Sequence, residues 1–300
     1  MYAFIRDQIL FGFRRRNILS GEHSLKKLYL SWFIFFLVSS VYNLPAQDST
    51  GIWLQLEPGF LQTDLPAPSN AELDDSKIAV LKIDPALYEI NIYCGSNFND
   101  KRRSIEDWAT DFHLVAAINA GMYAEDYKTS IGFLKSGEHY NNTHINSKHN
   151  CIFACGPLSD NIPPVQIIDL RCQSFDTWKS KYHSFLQSIR MISCSRKNVW
   201  QQQPQKWSIA ALAMDNQGNL LLIHSRAPYS VHDFIEILLK SPLDIKNAMY
   251  LEGGSAARLY YNIAGIEKSI GGFTENGIFF NDNQQRTQPI PNIIGVSKKE

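Results

Sequence analysis

The chain has 300 residues, and its 29 basic and 29 acidic side chains cancel, so no global field draws it to nucleic acid or to a membrane surface. Hydrophobic residues make up 44% and aromatic residues 12%, which excludes a compositionally disordered chain and allows a sizeable core. The length fits one large domain or two small ones.

The N-terminal segment stands apart from the rest. Lys26-Lys27 precedes the apolar run Leu28–Val38, and Ser39–Ala46 follows, ending on a small residue. A basic flank, an apolar stretch and a small residue at a cleavable position describe a secretory signal. Cleavage after Ala46 would start the mature chain near Gln47 and send it to the periplasm or outside the cell. The competing reading is an uncleaved membrane anchor through residues 28–44, a stretch short for a span of about 20 residues. Met1–Ser24 is long for a signal's basic head, which leaves room for a translation start nearer Leu25. The chain therefore divides into 1–46 (signal or anchor), 47–76 (a proline-containing, loosely structured lead-in) and 77–300 (the folded domain).

Within that domain, Ile78–Ile83 and Tyr88–Tyr93 flank Asp84-Pro85-Ala86-Leu87 and predict a hairpin. Ser104, with Asp107 three residues on, caps a helix over Ser104–Phe112. A short apolar strand, Val115–Ile118, then delivers Asn119-Ala120-Gly121-Met122-Tyr123. Small residues at 120 and 121 let the backbone approach a ligand, and Asn119 offers both a donor and an acceptor. A second hairpin follows, with Ile131–Lys135 and Glu138–Tyr140 about Ser136-Gly137. Cys151-Ile152-Phe153-Ala154-Cys155 reads as a strand with both thiols on one face. That spacing is half a zinc site, but no matching second pair follows, so buried thiols and no metal or cofactor are expected. Five cysteines leave at least one unpaired.

Phe175–Ser188 is a helical candidate. Ser208–Met214 and Leu220–His224 flank Asp215–Asn219, a hairpin in which Asp215 suits local turn bonding. Ser230–Asp233 opens a helix that runs to Lys240 and stops before Pro242. Ala248–Leu251 is a buried strand, and Leu259–Tyr261 and Gly277–Phe280 are closing strands. The fold class expected from this order is α+β: a single domain on a mixed or largely antiparallel β-sheet with two or three packed helices.

The chemistry concentrates at Leu251-Glu252-Gly253-Gly254-Ser255. Adjacent glycines permit positive φ, so consecutive N–H groups can converge on an anion beside the Glu252 carboxylate. A bland reading is a hairpin turn with a surface Glu. No Gly-x-Ser-x-Gly elbow, P-loop or dinucleotide fingerprint is present.

These elements, in this order, resemble the phosphodiester glycosidases from about Lys77 to about Val296. Asn119-Ala120-Gly121-Met122 resembles that family's Asn-(Ala/Gly)-Gly-(Met/Phe) element. Ile131-Gly132-Phe133 with Ser136-Gly137 resembles its glycine-containing hairpin, and Gln187-Ser188 its Gln-Ser-Gly-Pro stretch. Leu251–Ser255 resembles its Leu-Asp-Gly-Gly-(Gly)-Ser element, with Glu252 in place of Asp. Ile189-Arg190 stands where the family has Gly-Pro.

The resemblance implies a hydrolase that cuts a sugar–phosphate diester at the glycosidic carbon, acting on a small molecule or a glycan. In that reading Glu252 and Asn119 are catalytic. Gly121, Gln187, Arg226, Gly253, Gly254 and Ser255 bind sugar or phosphate, with Arg190 a substitute for Arg226. A phosphate leaves more readily than a sugar alkoxide, so anion stabilisation matters more than a strong general acid. The alternative is a non-catalytic envelope protein that binds a glycan or phosphoglycan with the same fold.

Overall fold

A computed structural model describes residues 51–66, 77–273 and 288–299. The signal or anchor segment and Gly277–Phe280 lie outside the described residues. All described residues belong to one compact unit, Pro45–Glu300. Among them no helix is long and apolar enough to cross a membrane.

The chain begins with hairpin β1 (Leu54–Glu57) and β2 (Phe60–Leu65), followed by β3 (Ile78–Ile83) and β4 (Tyr88–Cys94). Helix α1 (Ile105–Asp111) leads into β5 (Ala116–Asn119). Next come β6 (Leu134–Ser136), β7 (His139–Asn142), β8 (Cys151–Pro157), β9 (Val165–Asp169) and the long β10 (Tyr182–Ile192). Then follow β11 (Trp207–Asp215), β12 (Leu220–Tyr229), α2 (Val231–Lys240) and β13 (Ile245–Gly253). The described part closes with β14 (Arg258–Ile263), β15 (Ile266–Gly271) and β16 (Asn292–Lys298).

The strands form two sheets. The larger has eleven strands with the path β1-β2-β3-β12-β11-β13-β10-β6-β7, and β8 and β9 branch from β10. The smaller is β15-β14-β5-β16-β4. One apolar core lies between them, with Leu81, Leu212, Leu222 and Met249 of the large sheet meeting Ile118, Leu259 and Ile294 of the small one. Each outer face carries one helix. Helix α2 presents Val231, Phe234, Ile235 and Leu238 to the large sheet, the i, i+3, i+4, i+7 stripe of an amphipathic helix. Helix α1 lays Ile105, Trp108 and Ala109 on the small sheet, and the Trp108 indole donates to Ile290 O at 2.9 Å. Burial of each such large side chain contributes roughly 1.5–3 kcal/mol. Ser104 forms the expected capping box with Asp107.

This architecture corrects the α+β expectation. Among the described residues strand accounts for 48% and helix for 12%, with two α-helices, so the fold is β-rich and antiparallel. The third helical candidate, Phe175–Ser188, is a one-turn 3-10 segment at Phe175–Thr177 followed by strand β10. Its apolar residues fall at helical intervals, but neighbours claim both of its edges. Residues 182–188 pair with β8, and Phe185 and Leu186 pair with Lys135 and Leu134 of β6. A strand buried on both faces shows no period-two pattern from which it could be told apart.

The lead-in 47–76 is more ordered than its prolines suggest. Residues 54–65 are strands β1 and β2, and β2 pairs along β3 from Phe60↔Ile83 to Leu65↔Ile78.

Candidate active site

The two strand ends singled out by sequence meet at one end of the inter-sheet space. Strand β13 ends at Gly253, and the chain makes a 3-10 turn over Gly254–Ala256 before β14 starts at Arg258. Strand β5 ends beside it at Asn119. The buried Asn119 amide donates to Ala256 O at 3.0 Å, and its carbonyl accepts the Arg258 N–H at 2.7 Å. Both ends of the side chain thus brace the glycine turn. The structure places Asn119 at the site, as a support of the turn.

A β-bulge aims Glu252. Ala211 pairs with Tyr250 and Ala210 with Glu252, so Leu251 is the extra residue. Without it, strict alternation would put Glu252 on the same outer face as Tyr250. With it, Glu252 joins the row Ala79–His224–Ala210, whose alanines belong to the inter-sheet core. The Glu252 residue is half-buried by surface area, yet enough protein surrounds its carboxylate to raise the pKa from 4.5 to about 7. Desolvation is the cause, because removing water disfavours the charged form. The Gly253 N–H opposes this weakly, donating to Glu252 Oε1 at 2.9 Å. The same carboxylate acts on Tyr123: burial first, and then the Glu252 charge, push its phenol up to about 12.

The paired glycines do different jobs. Gly254 holds φ +65°, the left-handed conformation expected of such a turn. Gly253 is extended, with φ −139°. It is glycine for room: a Cβ there would overlap the Tyr250 hydroxyl and lie 2.5 Å from Trp207 Cδ1. That hydroxyl accepts the Trp207 indole N–H at 3.0 Å, so the obstruction is held in place.

The cation at the turn is Arg258, which the sequence reading missed. Its buried guanidinium donates from Nη1 to Ala257 O at 2.9 Å and to Ser255 O, and from Nη2 to Gln288 Oε1 at 2.8 Å. Burial lowers its pKa to about 10, so it stays charged at neutral pH. Ser255 thereby contributes its carbonyl to holding the turn. An arginine opening a buried strand directly after the glycine motif was the available signal.

His224, also passed over, is fully buried with Nε2 3.3 Å from Ala257 O. Burial drops its pKa to about 3, with the nearby Arg258 and Arg226 charges adding to the effect, so it is neutral.

The remaining nominated residues sit as follows. Arg226 packs its guanidinium over the Phe273 ring at 4.8 Å, and its carbonyl accepts the Ser208 hydroxyl. Arg190 is engaged elsewhere, with Nη1 2.9 Å and 3.0 Å from the two Asp169 oxygens. Buried Gln187 is fully used in anchoring a loop. Its oxygen accepts N–H groups of Phe133 and Asn146, and its nitrogen donates to Asn146 O and His149 O. Gly121 has φ +76° and fits against Leu186, whose Cδ1 would be 3.0 Å from a Cβ. Asp215 accepts the Gln217 and Asn219 N–H groups and pairs with Lys82 at 3.0 Å, a structural role as expected from the turn.

Glu252, Asn119, Gly253, Gly254 and Ser255 are therefore brought together, with Tyr123, His224 and Arg258 added. Gln187 and Arg190 are committed to other parts of the framework.

Cys151 and Cys155 do share a face in the inter-sheet core, and burial pushes both thiols up, Cys155 to about 12. Cys172 and Cys194 form a disulfide.

A family model described as phosphodiester glycosidase matches residues 112–297, and the chain belongs to that family. Among solved structures, it is similar to the catalytic domain of zebrafish N-acetylglucosamine-1-phosphodiester alpha-N-acetylglucosaminidase, auto-inhibited by its pro-peptide. That match has a TM-score of 0.57 and 12% identity, covering 86% of this chain and 87% of the zebrafish one. A hypothetical protein from Synechocystis is similar with a TM-score of 0.54 and 13% identity, over 82% of this chain and 63% of the other. At these identities the likeness is one of fold. No curated protein matches the chain by sequence.

Proposed function

We propose that the protein is an exported hydrolase that cleaves a sugar–phosphate diester at the glycosidic carbon. The observation that carries this reading is a half-buried carboxylate, Glu252, titrating at about 7 beside a glycine turn braced by Asn119 and Arg258. A general base works best with a pKa near the working pH. The C1–O bond breaks and its electron pair goes to the phosphate oxygen. A phosphate monoester has a second pKa of about 6, so this oxygen departs without a protein acid. Glu252 takes a proton from the water that forms the new bond at C1. Its Oε1 is held by the Gly253 N–H, leaving Oε2 for that proton. The Gly254–Ala256 turn and the Arg258 charge stabilise the phosphate as it gains charge.

The test is hydrolysis of a sugar 1-phosphate methyl diester by the wild type and by Glu252→Gln. The variant should lose roughly 100- to 10,000-fold in kcat/KM. Wild-type kcat/KM should rise with pH through about 7, as Glu252 deprotonates. Undiminished turnover in the variant overturns the assignment. Binding of the diester with no turnover in either form favours the rival reading, a non-catalytic envelope protein that binds glycans or phosphoglycans.

Export is supported by the signal-like order of residues 26–46 and by the Cys172–Cys194 pair, since disulfides persist in oxidising compartments. N-terminal sequencing of protein from its native host should read from Gln47. A start near Lys26 on membrane-bound material would instead identify an anchor.

A further inference from the structure

A second group of donor atoms, outside the site described above, is assembled at the ends of two strands. Strand β9 ends at Asp169 and β10 at Ile192, with β8 between them. The turns that follow bring Cys172 and Cys194 together as a disulfide. One Asp169 oxygen addresses both cysteines. Oδ2 lies 3.5 Å from Cys172 Sγ and accepts the Cys194 N–H at 3.0 Å. The two sulfurs and the carboxylate lie within 4.8 Å of one another, the one such group of three metal-ligating side chains among the described residues.

Asp169 is 1% exposed, whereas both cysteines are open to solvent. A buried carboxylate is costly unless it is paired and hydrogen-bonded. Arg190 Nη1 reaches both of its oxygens, at 2.9 and 3.0 Å, and the Arg171 N–H donates to Oδ1 at 3.0 Å. The carboxylate is thereby fixed in one orientation, as ligating carboxylates are by their outer partners. Because Nη1 reaches both oxygens, a cation on Oδ2 leaves the contact to Oδ1 in place.

In the disulfide form Cys172 Sγ carries no hydrogen to offer Oδ2. The dithiol form exists before the bond closes and again after a dithiol reductant opens it. That reductant supplies two electrons and two protons and becomes a disulfide itself, and the exposed sulfurs admit its thiolate. The geometry of the dithiol form suits zinc. Tetrahedral bonds of about 2.3 Å to sulfur and about 2.0 Å to oxygen put the two donors about 3.5 Å apart. Cys172 Sγ and Asp169 Oδ2 already stand at that separation. Two thiolates and a carboxylate carry three negative charges and Arg190 one positive charge, a balance that a divalent cation neutralises. Sulfur donors select zinc over calcium and magnesium, which take oxygen ligands.

We propose that the dithiol form of Cys172 and Cys194 binds one zinc ion together with Asp169, with solvent in the fourth position. Zinc and the disulfide are then alternative links between the turn after β9 and the turn after β10. The two thiol protons pass to solvent as the metal binds. Cys151 stands opposite Asp169 across the ladder, but it belongs to the inter-sheet core and takes no part.

The test is titration of the full chain, reduced with a phosphine, with Zn²⁺ by calorimetry and with Co²⁺ by absorption. Cobalt reports thiolate ligation through its charge-transfer band. The reduced wild type should take up one equivalent and the oxidised protein none. Reduced Cys172→Ala and Cys194→Ala should lose that uptake, and reduced Cys151→Ala should keep it. Asp169→Asn should weaken binding at least about 10-fold, the least that losing an outer-shell partner costs. Zn²⁺ should raise the melting temperature of the reduced wild type and leave that of the oxidised protein unchanged. No uptake by the reduced wild type, equal uptake by the oxidised protein, uptake that survives Cys172→Ala, or loss in Cys151→Ala overturns the proposal. An unchanged affinity in Asp169→Asn overturns the three-ligand site. Should Asp169→Asn fail to fold, the two exposed cysteine variants decide. None of these readouts depends on hydrolysis, so the reading of Glu252 is tested separately.

Discussion

At the residue scale, Glu252 links stability to function through one proton. Its folded pKa of about 7 lies above the ordinary value of 4.5. Between these values the folded chain keeps the proton that the unfolded chain has released. Stability therefore falls as pH rises through this window and levels off above about 7. At about 1.4 kcal/mol per pKa unit the cost at alkaline pH reaches about 3 kcal/mol. Glu252→Gln removes the titration. Its melting temperature should exceed the wild-type value by several degrees at pH 8, and the excess should vanish near pH 4. An excess of equal size at both pH values would mean that Glu252 is not desolvated in the folded protein. The same substitution should lower catalysis, so the carboxylate is a site where activity costs stability.

At the element scale, the turn after β13 depends on two glycines for two separate reasons. Gly253→Ala should destabilise by about 1–3 kcal/mol, because the methyl group collides with Tyr250 and Trp207. Adding Tyr250→Phe removes the hydroxyl and should recover part of that loss. Gly254→Ala should cost about 1–2 kcal/mol through its left-handed backbone, with no recovery from Tyr250→Phe. Urea denaturation of the three single and two double variants separates crowding from backbone strain. Identical coupling of both glycines to Tyr250 would contradict the division of roles. The bulge at Leu251 belongs to this scale as well, since it puts Glu252 in the row of His224 and Ala210.

At the scale of the whole molecule, the Cys172–Cys194 disulfide joins the turn after β9 to the turn after β10, across a sequence separation of 22. Closing a loop of that length stabilises by about 3 kcal/mol in the chain-entropy model. Cys94, Cys151 and Cys155 are buried free thiols. Denatured but unreduced protein should therefore titrate three thiols, and the folded protein almost none. Reduction should raise the denatured count to five and lower the melting temperature. Five thiols before reduction would eliminate the disulfide and weaken the argument for an oxidising compartment.

Local signals in the chain were enough for the parts whose pattern is local. The capped helix at Ser104, the helix after Ser230, the hairpin around Asp215 and the left-handed Gly254 all follow from nearest-neighbour chemistry, and all occur in the structure, whereas the two strands flanking Asp84 enter different sheets and form no hairpin. So does the convergence of the strand ending at Asn119 with the one ending at Glu252, which the ordered family motifs implied.

Contacts distant in sequence decided the rest. Residues 182–188 became strand because β8 and β6 claim the edges of this part of β10. Residues 54–65 joined the large sheet because β3 offered a free edge. Gln187 resembles a ligand-binding amide in sequence, but its four hydrogen bonds bind the loop at 146–149 and Phe133. Arg190 was committed by Asp169, a residue 21 positions away, and Arg258 took the place at the turn by bonding to the Ser255 and Ala257 carbonyls. The sequence by itself determined which residue types stand at the strand ends. Whether a given amide or guanidinium faces a substrate or the framework depends on partners that only tertiary packing brings within hydrogen-bonding distance. The raised pKa of Glu252 is of the same kind, since desolvation is a property of everything packed around a carboxylate and of no local pattern.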